Sequence, residues 1–178
     1  MLLFLVGYMG CGKSSIGRPL AKRLGMQFID MDTEIERRCG MSIRDFFAAH
    51  GEQEFRRYEH EVLQELTKAE NTVVATGGGV PCFFDNMSLM NEAGITIYFK
   101  LSPEKLAARL EYGKNQRPLL RGKSQQELVS FIQESLQQRE PYYAQARLIV
   151  EGDRLSDEYM ARHVMLYVEH IRTLKREQ

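Results

Sequence analysis

The sequence predicts an α/β fold in which helices cover both faces of a five-stranded parallel β-sheet. Five short apolar runs alternate with stretches that have the periodicity of amphipathic helices, and this alternation is typical of βαβ units. The runs are apolar at nearly every position, as in strands that are buried on both faces. We therefore expect a three-layer sandwich with the sheet in the middle.

The strands are predicted at the five apolar runs, residues 2–6, 27–30, 72–76, 95–101 and 147–150. Helices are predicted over residues 13–24, from about 42 to 51, over 52–66, and after Ser102, Ser124 and Ser156. In the first helix Ile16, Leu20 and Leu24 recur at intervals of four, and Gly25 ends the pattern. The three serines are preferred N-cap residues, and Ser124 forms a capping box with Glu127.

Composition and charge limit the possible partners. Lys plus Arg and Asp plus Glu number 24 each, so the formal net charge is zero and no broad basic face for nucleic acid or an anionic membrane is indicated. Cys11, Cys39 and Cys82 stand far apart, which favours neither a disulfide framework nor a zinc site. The N-terminal apolar run is too short for a signal peptide or a membrane span. We expect a cytoplasmic, monomeric protein with a single domain over residues 1–178.

A glycine-rich motif follows the first predicted strand. Residues 7–14, GYMGCGKS, match G-x-x-x-x-G-K-[ST] between a strand and a helix. Glycines let backbone N–H groups curl around a phosphate chain, and the helix N-terminus adds partial positive charge. In such a loop Lys13 reaches the β- and γ-phosphates, and the Ser14 hydroxyl is a ligand for Mg²⁺. The residues expected to bind the nucleotide phosphates are Gly10, Cys11, Gly12, Lys13, Ser14 and Ser15.

Further polar groups follow the second and third predicted strands. Asp30 and Asp32 stand two residues apart at a strand end, so we expect both carboxylates on one side, where open parallel sheets bind ligands. They could hold a metal-bound water or accept a hydroxyl proton, although Asp32 also suits the cap of a helix that starts at Thr33. The third predicted strand is followed by three consecutive glycines, Gly77, Gly78 and Gly79. Glycines favour the approach of a ligand to the backbone, so we expect these residues at the same edge of the sheet as the glycine-rich motif and the two aspartates. 

Three arginines have an ordinary interpretation when each is taken alone. Arg56 and Glu59 are three apart on a predicted helix, which is typical of a surface ion pair. Arg117 lies in a stretch without periodicity, and arginines in such stretches are normally solvated. Arg139 precedes Pro141 where a helix is expected to end, and a cation suits that position.

Together these motifs resemble shikimate kinase. The strings GYMGCGKSS, FIDMD, FRRYE, TGGG, RPLL and REPYY occur in this order from the first strand to the fifth. The phosphate loop is common to many kinases, whereas the combination is much more specific. The resemblance implies a P-loop kinase fold with strand order 2-3-1-4-5 and a mobile lid at about 111–123. It also implies transfer of the ATP γ-phosphoryl group to the 3-hydroxyl of shikimate, on the route to chorismate and the aromatic amino acids.

The resemblance also implies residue roles. Lys13 and Ser14 match the phosphate and magnesium ligands, and Asp30 matches a carboxylate that holds magnesium through water. Asp32 matches the candidate base, within a shikimate-binding segment at about 32–62. The residues that match those expected to bind shikimate itself are Asp32, Arg56, Glu59, Gly77, Gly78, Gly79 and Arg139. Arg117 matches an arginine that closes over the phosphates, so the catalytic set is Lys13, Asp32 and Arg117.

One position departs from the family pattern, and two alternative functions remain. Members often carry an adenine-packing arginine seven residues before the lid arginine, whereas this chain has Leu110 there, with Arg109 beside it.

Another small-metabolite kinase, such as a gluconate kinase, would share the phosphate loop but would not need Arg56 and Arg139 around one ring acid. A nucleotide-binding regulatory module would leave Asp32 and Arg117 without a task. The guanine-selecting string N-K-x-D is absent from the sequence, which disfavours a GTPase.

Overall fold

The computed structural model describes residues 1–111 and 122–174, and a five-stranded sheet forms its centre. The strands are β1 (Leu2–Val6), β2 (Gln27–Asp30), β3 (Thr72–Ala75), β4 (Ile95–Lys100) and β5 (Leu148–Glu151). All neighbouring strands are parallel, and their order is β2-β3-β1-β4-β5. The predicted fold class and strand order are therefore confirmed, and each strand lies within one residue of its predicted bounds.

Helices connect the strands and cover the sheet. They are α1 (Lys13–Leu24), α2 (Met31–Cys39), α3 (Ile43–Leu66), α4 (Asn86–Ala93), α5 (Pro103–Glu111), α6 (Gln125–Tyr143) and α7 (Asp157–Leu174), with a short 3-10 turn at Val80–Cys82. The core extends from β1, which is buried along its whole length, to the inner faces of α1 and α7. Within the described ranges, no helix combines the length and the apolar character that a bilayer-crossing segment needs.

The parallel register brings the functional loops to one edge of the sheet. Leu5 of β1 and Asp30 of β2 both lie opposite Ala75 of β3. The carboxyl ends of these three strands are therefore level, and the chain leaves each of them on the same side. The glycine motif after β1, the aspartates after β2 and the glycines after β3 consequently meet at this edge.

The geometry after β2 corrects one sequence-based argument. Asp30 ends the strand, and α2 begins at Met31, so the spacing of Asp30 and Asp32 is not a strand spacing. Asp30 is also the N-cap residue, because its side chain accepts a hydrogen bond from the Thr33 amide at 3.4 Å. The alternative in which Asp32 caps a helix that starts at Thr33 is therefore wrong, and Asp32 lies in the first turn of α2 instead.

The long helix α3 is two helical segments joined at a glycine. Gly51 has φ 79° and ψ 172°, values that lie outside the helical region and that favour glycine. This agrees with the predicted helices on either side of Gly51. Helix α4 was not predicted, because only Met87 and Met90 supply buried apolar side chains there and the periodic signal is weak.

Helix α6 has the predicted start but a later end. Ser124 accepts a hydrogen bond from the Glu127 amide, and Glu127 bonds back to the Ser124 amide, so the capping box is present. The helix continues through Pro141 to Tyr143 rather than ending near Arg139. A proline in the last turn of a helix removes only one backbone hydrogen bond near the helix end, so α6 can continue for one more turn. Most of the expected lid at about 111–123 lies outside the described residues.

Candidate active site

A cavity of about 540 Å³ opens at the carboxyl edge of the sheet. Its lining residues are Met9, Gly10, Gly12, Lys13, Ser14, Ser15, Asp30, Asp32, Thr76, Gly78, Arg109 and Asp157. Eight of these come from the predicted site residues, which the fold brings together from the loops after β1, β2 and β3.

The phosphate loop holds its lysine inside the turn. Lys13 is 8% exposed, and its Nζ donates to the carbonyl oxygens of Gly7 at 2.7 Å and Tyr8 at 3.0 Å. Gly10 and Gly12 have φ values of 81° and 103°, a left-handed conformation that side-chain-bearing residues rarely adopt. The ammonium group is therefore fixed at the hollow of the loop, directly before the N-terminus of α1, which has no acidic residue in its first turn. Both features favour an anion at this place.

Cys11 contributes backbone to this loop and packs its side chain inward. Its side chain is fully buried, and its amide donates to the Tyr8 carbonyl at 3.2 Å. The thiol lies 3.7 Å from Lys13 Nζ. The predicted contact of Cys11 with nucleotide is therefore one that only its backbone could make, and it stays a prediction.

Ser14 and Asp30 place two oxygen atoms that could be metal ligands at the wall of the cavity. The Ser14 hydroxyl donates to Asp30 Oδ2 at 2.5 Å. Hydroxyl and carboxylate oxygens are the ligands that Mg²⁺ prefers, and Mg²⁺ is usually held by one or two carboxylates together with substrate phosphates. Among the described residues there is no cluster of three or more His, Cys, Asp or Glu side chains that could hold a metal by itself. The pair therefore fits a magnesium ion that is shared with a phosphate chain.

Asp32 and Glu59 approach the first residue of the glycine turn (Gly77, Gly78 and Gly79) from two sides. A Cβ atom on Gly77 would lie 2.8 Å from Asp32 Oδ1 and 3.2 Å from Glu59 Oε1, so these carboxylates fill the space that a side chain would take. Burial raises the pKa of Asp32, and the nearby Lys13 ammonium opposes this effect. Burial also raises the pKa of Glu59, to about 6, against the lowering effect of Arg56. Glycine at position 77 is thus required by the close approach of these two carboxylates, of which Glu59 is 2% exposed.

Arg56 is enclosed rather than solvated. Its Nη1 donates to Glu59 Oε2 at 2.9 Å and its Nη2 to Glu52 Oε1 at 3.2 Å. The guanidinium carbon lies 4.3 Å from the centre of the Phe83 ring. Its Nε atom is buried and has no hydrogen-bond partner among the described residues. The interpretation as a surface ion pair is therefore wrong, because Glu59 is 2% exposed and Arg56 is only 14% exposed.

Arg56 and Arg139 meet at consecutive glycines of this turn. A Cβ atom on Gly79 would lie 2.7 Å from Arg56 Nη1, and one on Gly78 would lie 3.7 Å from Arg139 Nη1. Cys82 lies close enough to both guanidinium groups for them to lower its pKa, although burial dominates and raises it to about 11. Neither arginine lines the 540 Å³ cavity directly. Arg139 packs over the ring of Tyr8 in the phosphate loop, with its guanidinium carbon 5.3 Å from the ring centre.

Arg109 and Asp157 line the cavity, although no sequence pattern assigned either of them a firm role. Arg109 donates to the Cys11 carbonyl at 3.2 Å and to Asp157 Oδ1 at 2.6 Å, and Ser15 donates to Asp157 Oδ2 at 3.0 Å. Leu110 instead is 1% exposed and belongs to the core. No local pattern marks Asp157, which is the first residue of α7 and meets Ser15 only through the tertiary fold. Arg117 lies outside the described residues.

Comparisons with known proteins agree with this geometry. The family model described as shikimate kinase matches residues 9–169. A shikimate kinase of Parabacteroides distasonis is 47% identical over 156 residues, which cover 88% of this chain and 90% of that protein. The corresponding protein of Phocaeicola vulgatus is 42% identical over 170 residues, which cover 96% of this chain and 95% of that protein.

Two solved structures are similar over nearly the whole chain. The crystal structure of shikimate kinase from Bacteroides thetaiotaomicron has a TM-score of 0.88 and 40% identity, and the match covers 95% of this chain and 98% of that one. The structure of the Acinetobacter baumannii enzyme in complex with shikimate has a TM-score of 0.85 and 34% identity, and the match covers 95% of this chain and 93% of that one. With its phosphate loop, its sheet order and these matches, the chain belongs to the shikimate kinase family and is an ATP-dependent kinase.

Proposed function

We propose that this enzyme transfers the γ-phosphoryl group of ATP to the 3-hydroxyl of shikimate, which gives shikimate 3-phosphate and ADP. One observation carries the proposal: two guanidinium groups lie against the glycine turn, next to the phosphate loop. The solved structure of a relative from Acinetobacter baumannii is a complex with shikimate, which supports the same substrate for this chain. The reaction belongs to the route toward chorismate and the aromatic amino acids.

The phosphate loop is the proposed nucleotide site. Backbone amides of Gly10 and Gly12 and the first residues of α1 would hold the phosphate chain, with Ser15 behind them. The Cys11 amide would join them by giving up its hydrogen bond to the Tyr8 carbonyl. The Lys13 ammonium, now bonded to the Gly7 and Tyr8 carbonyls, would turn to the β- and γ-phosphate oxygens. Phosphoryl transfer depends mainly on positioning and on neutralising charge, so a fixed cation here lowers the barrier.

Ser14 and Asp30 are the proposed magnesium residues. Ser14 Oγ would be a direct ligand, and Asp30, 2.5 Å away, would hold a water molecule of the ion. When bound, the ion neutralises charge on the phosphate oxygens.

The glycine turn and its two arginines form the proposed acid-binding side. A carboxylate is recognised best by the fork of a guanidinium group, and two such forks surrounding one anion give orientation as well as affinity. The Nε of Arg56 is buried and has no hydrogen-bond partner within residues 1–111 and 122–174, so it is a donor that such an anion would satisfy. Glu59 would orient Arg56 by accepting a hydrogen bond from its Nη1 atom. The backbone of Gly77, Gly78 and Gly79 would offer hydrogen-bonding groups to the substrate.

Asp32 is the proposed base. It lines the cavity between the phosphate loop and the glycine turn, where the attacking hydroxyl must lie. Its raised pKa makes it a better proton acceptor than an ordinary aspartate. As the hydroxyl oxygen bonds to the γ-phosphorus, its proton passes to Asp32, and the bridging oxygen leaves with ADP.

The remaining assignments rest on the motifs and the resemblance. Arg117 in R-P-L-L would add positive charge around the transferred group, and the lid at about 111–123 would exclude water. We also propose one domain over residues 1–178, a monomer in the cytoplasm, and no membrane or nucleic-acid partner. Gel filtration with light scattering tests the monomer.

The function is tested by measuring ADP release with Mg²⁺ and ATP while the acceptor is varied. We expect release with shikimate and none above background with gluconate or simple nucleotides. Faster release with gluconate would favour the other small-metabolite kinase. ATP binding without release in the presence of any acceptor would favour a regulatory module and would reject the proposal.

A further inference from the structure

Tyr143 places a buried hydroxyl on the glycine turn. It is the last residue of α6 and is fully buried, and its hydroxyl donates to the Gly78 carbonyl at 2.5 Å. A buried hydroxyl without a partner is unfavourable, so this bond satisfies Tyr143 as well as the carbonyl. Burial raises the pKa of the phenol, which keeps it protonated and able to donate.

Arg139 reaches the same glycine from the same helical turn. It lies four residues before Tyr143, and side chains at this spacing share one face of a helix. A Cβ atom on Gly78 would be 3.7 Å from Arg139 Nη1, and it would be 3.4 Å from the Met9 amide of the phosphate loop. Gly78 is therefore enclosed between the end of α6 and the loop, and Tyr143 makes the hydrogen bond that holds its carbonyl.

The orientation of one peptide unit follows from this bond. The Gly78 carbonyl and the Gly79 N–H belong to the same planar trans peptide and point in opposite directions. When Tyr143 holds the carbonyl, the Gly79 N–H is turned to the other side. We infer that Tyr143 is a positioning residue for the acid-binding side, which orients the Gly78–Gly79 peptide and fixes the helical turn that carries Arg139. This inference rests on the proposed function.

Tyr98 is a matched control. It is 2% exposed, and its ring centre lies 5.1 Å from that of Tyr143. Its hydroxyl donates to Glu140 Oε2 at 2.6 Å rather than to the turn, and Glu140 retains Lys100 at 3.0 Å when that bond is lost. Tyr98→Phe therefore removes a comparable buried hydroxyl, which bonds to the same turn of α6 from β4, and leaves the bond between Tyr143 and the Gly78 carbonyl in place.

The test compares Tyr143→Phe, Tyr98→Phe and the wild type in steady-state kinetics. We expect Tyr143→Phe to raise the KM for shikimate about fivefold to tenfold, which corresponds to one hydrogen bond, and to change the KM for ATP by less than about twofold. Tyr98→Phe should change neither KM by more than about twofold. Titration calorimetry with shikimate and no nucleotide should reproduce the weaker binding.

A double variant separates positioning from general stability. If Tyr143 acts through Arg139 and the turn, Tyr143→Phe should weaken shikimate binding by less than about twofold when added to Arg139→Ala. Equal rises in both KM values, an equal effect of Tyr98→Phe, or full additivity with Arg139→Ala would overturn the inference. A wild-type enzyme with no shikimate-dependent ADP release would instead reject the proposed function, so the two failures are distinguishable. The melting temperature of each variant shows whether it is folded. If a variant is partly unfolded, titration calorimetry of its folded fraction with shikimate tests the inference.

Discussion

Glu59 is buried against Arg56, with 2.9 Å between Glu59 Oε2 and Arg56 Nη1. The carboxyl is 2% exposed, and burial raises its pKa to about 6 against the attraction of Arg56. Glu59 can orient the guanidinium fully only when it is ionised. The state of this pair therefore changes within the pH range in which the enzyme can be assayed.

Lowering the pH should weaken shikimate binding before it weakens ATP binding. Below about pH 6 Glu59 takes up a proton and its hold on Arg56 weakens, so we expect the KM for shikimate to rise severalfold between pH 7 and pH 5.5. In Glu59→Gln the KM should be higher at pH 7 and should vary less with pH. An unchanged slope in that variant would assign the titration to another group, such as Asp32.

The same shift has a consequence for stability. The pKa of Glu59 is above its ordinary value of 4.5, so the folded state binds the proton more tightly than the unfolded state does. The contribution of Glu59 to the free energy of unfolding should therefore decrease as the pH rises from about 4.5 to about 6, and Glu59→Gln should remove this decrease. Urea titrations of both proteins across this range measure the difference.

Lys13→Ala should abolish phosphoryl transfer. The ammonium is held within the loop by two carbonyls, and no other described lysine lines the cavity to replace it. Loss of a fixed cation at the transferred group should lower kcat by at least about a hundredfold. Lys22→Ala, at an exposed position of the same helix, is the control and should retain wild-type kcat. Substantial activity in Lys13→Ala would remove the loop from the chemistry.

Gly79→Ala should impair the acid-binding side by steric contact. A methyl group would lie 2.7 Å from Arg56 Nη1 and 3.0 Å from the guanidinium carbon, so the arginine must move. We expect a rise of about tenfold or more in the KM for shikimate, which corresponds to loss of one well-placed charged hydrogen bond. At Gly78 a methyl group meets its neighbours at 3.4 to 3.7 Å, so Gly78→Ala should have the smaller effect. The reverse order would contradict the placement of Arg56.

Asp157→Asn should act on the nucleotide side. Asp157 holds Arg109 at 2.6 Å and Ser15 at 3.0 Å, both at the wall of the cavity near the phosphate loop. Weakening this charged contact should raise the KM for ATP about threefold to tenfold and leave that for shikimate nearly unchanged. Glu158→Gln is the control, because its carboxylate is 78% exposed and lies 3.7 Å from Arg23. An equal effect of the two substitutions would indicate a general change of charge.

The local patterns in the chain were sufficient to predict the sheet and most helices. β1 and α1 begin and end where apolar runs, glycines and caps predict, because these signals act within a few residues. Helix α4 has few buried apolar residues and gave no such signal. α2 starts directly after β2 at Met31, so the strand spacing assumed for Asp30 and Asp32 did not apply. Both carboxylates still line the cavity, because β2 ends at its edge with Asp30, and Asp32 follows in the first turn of α2.

By itself the sequence determined the kind of chemistry. The loop at residues 7–14 specifies a phosphate-binding turn through glycines, a lysine and a serine that lie next to one another in the chain. The tertiary structure alone decided the environment of each charge. Arg56 and Glu59 became a buried pair, Arg109 joined Asp157, and Tyr143 met Gly78 across 65 positions of the chain. Burial and long-range contact depend on how the layers pack, and no local spacing encodes them.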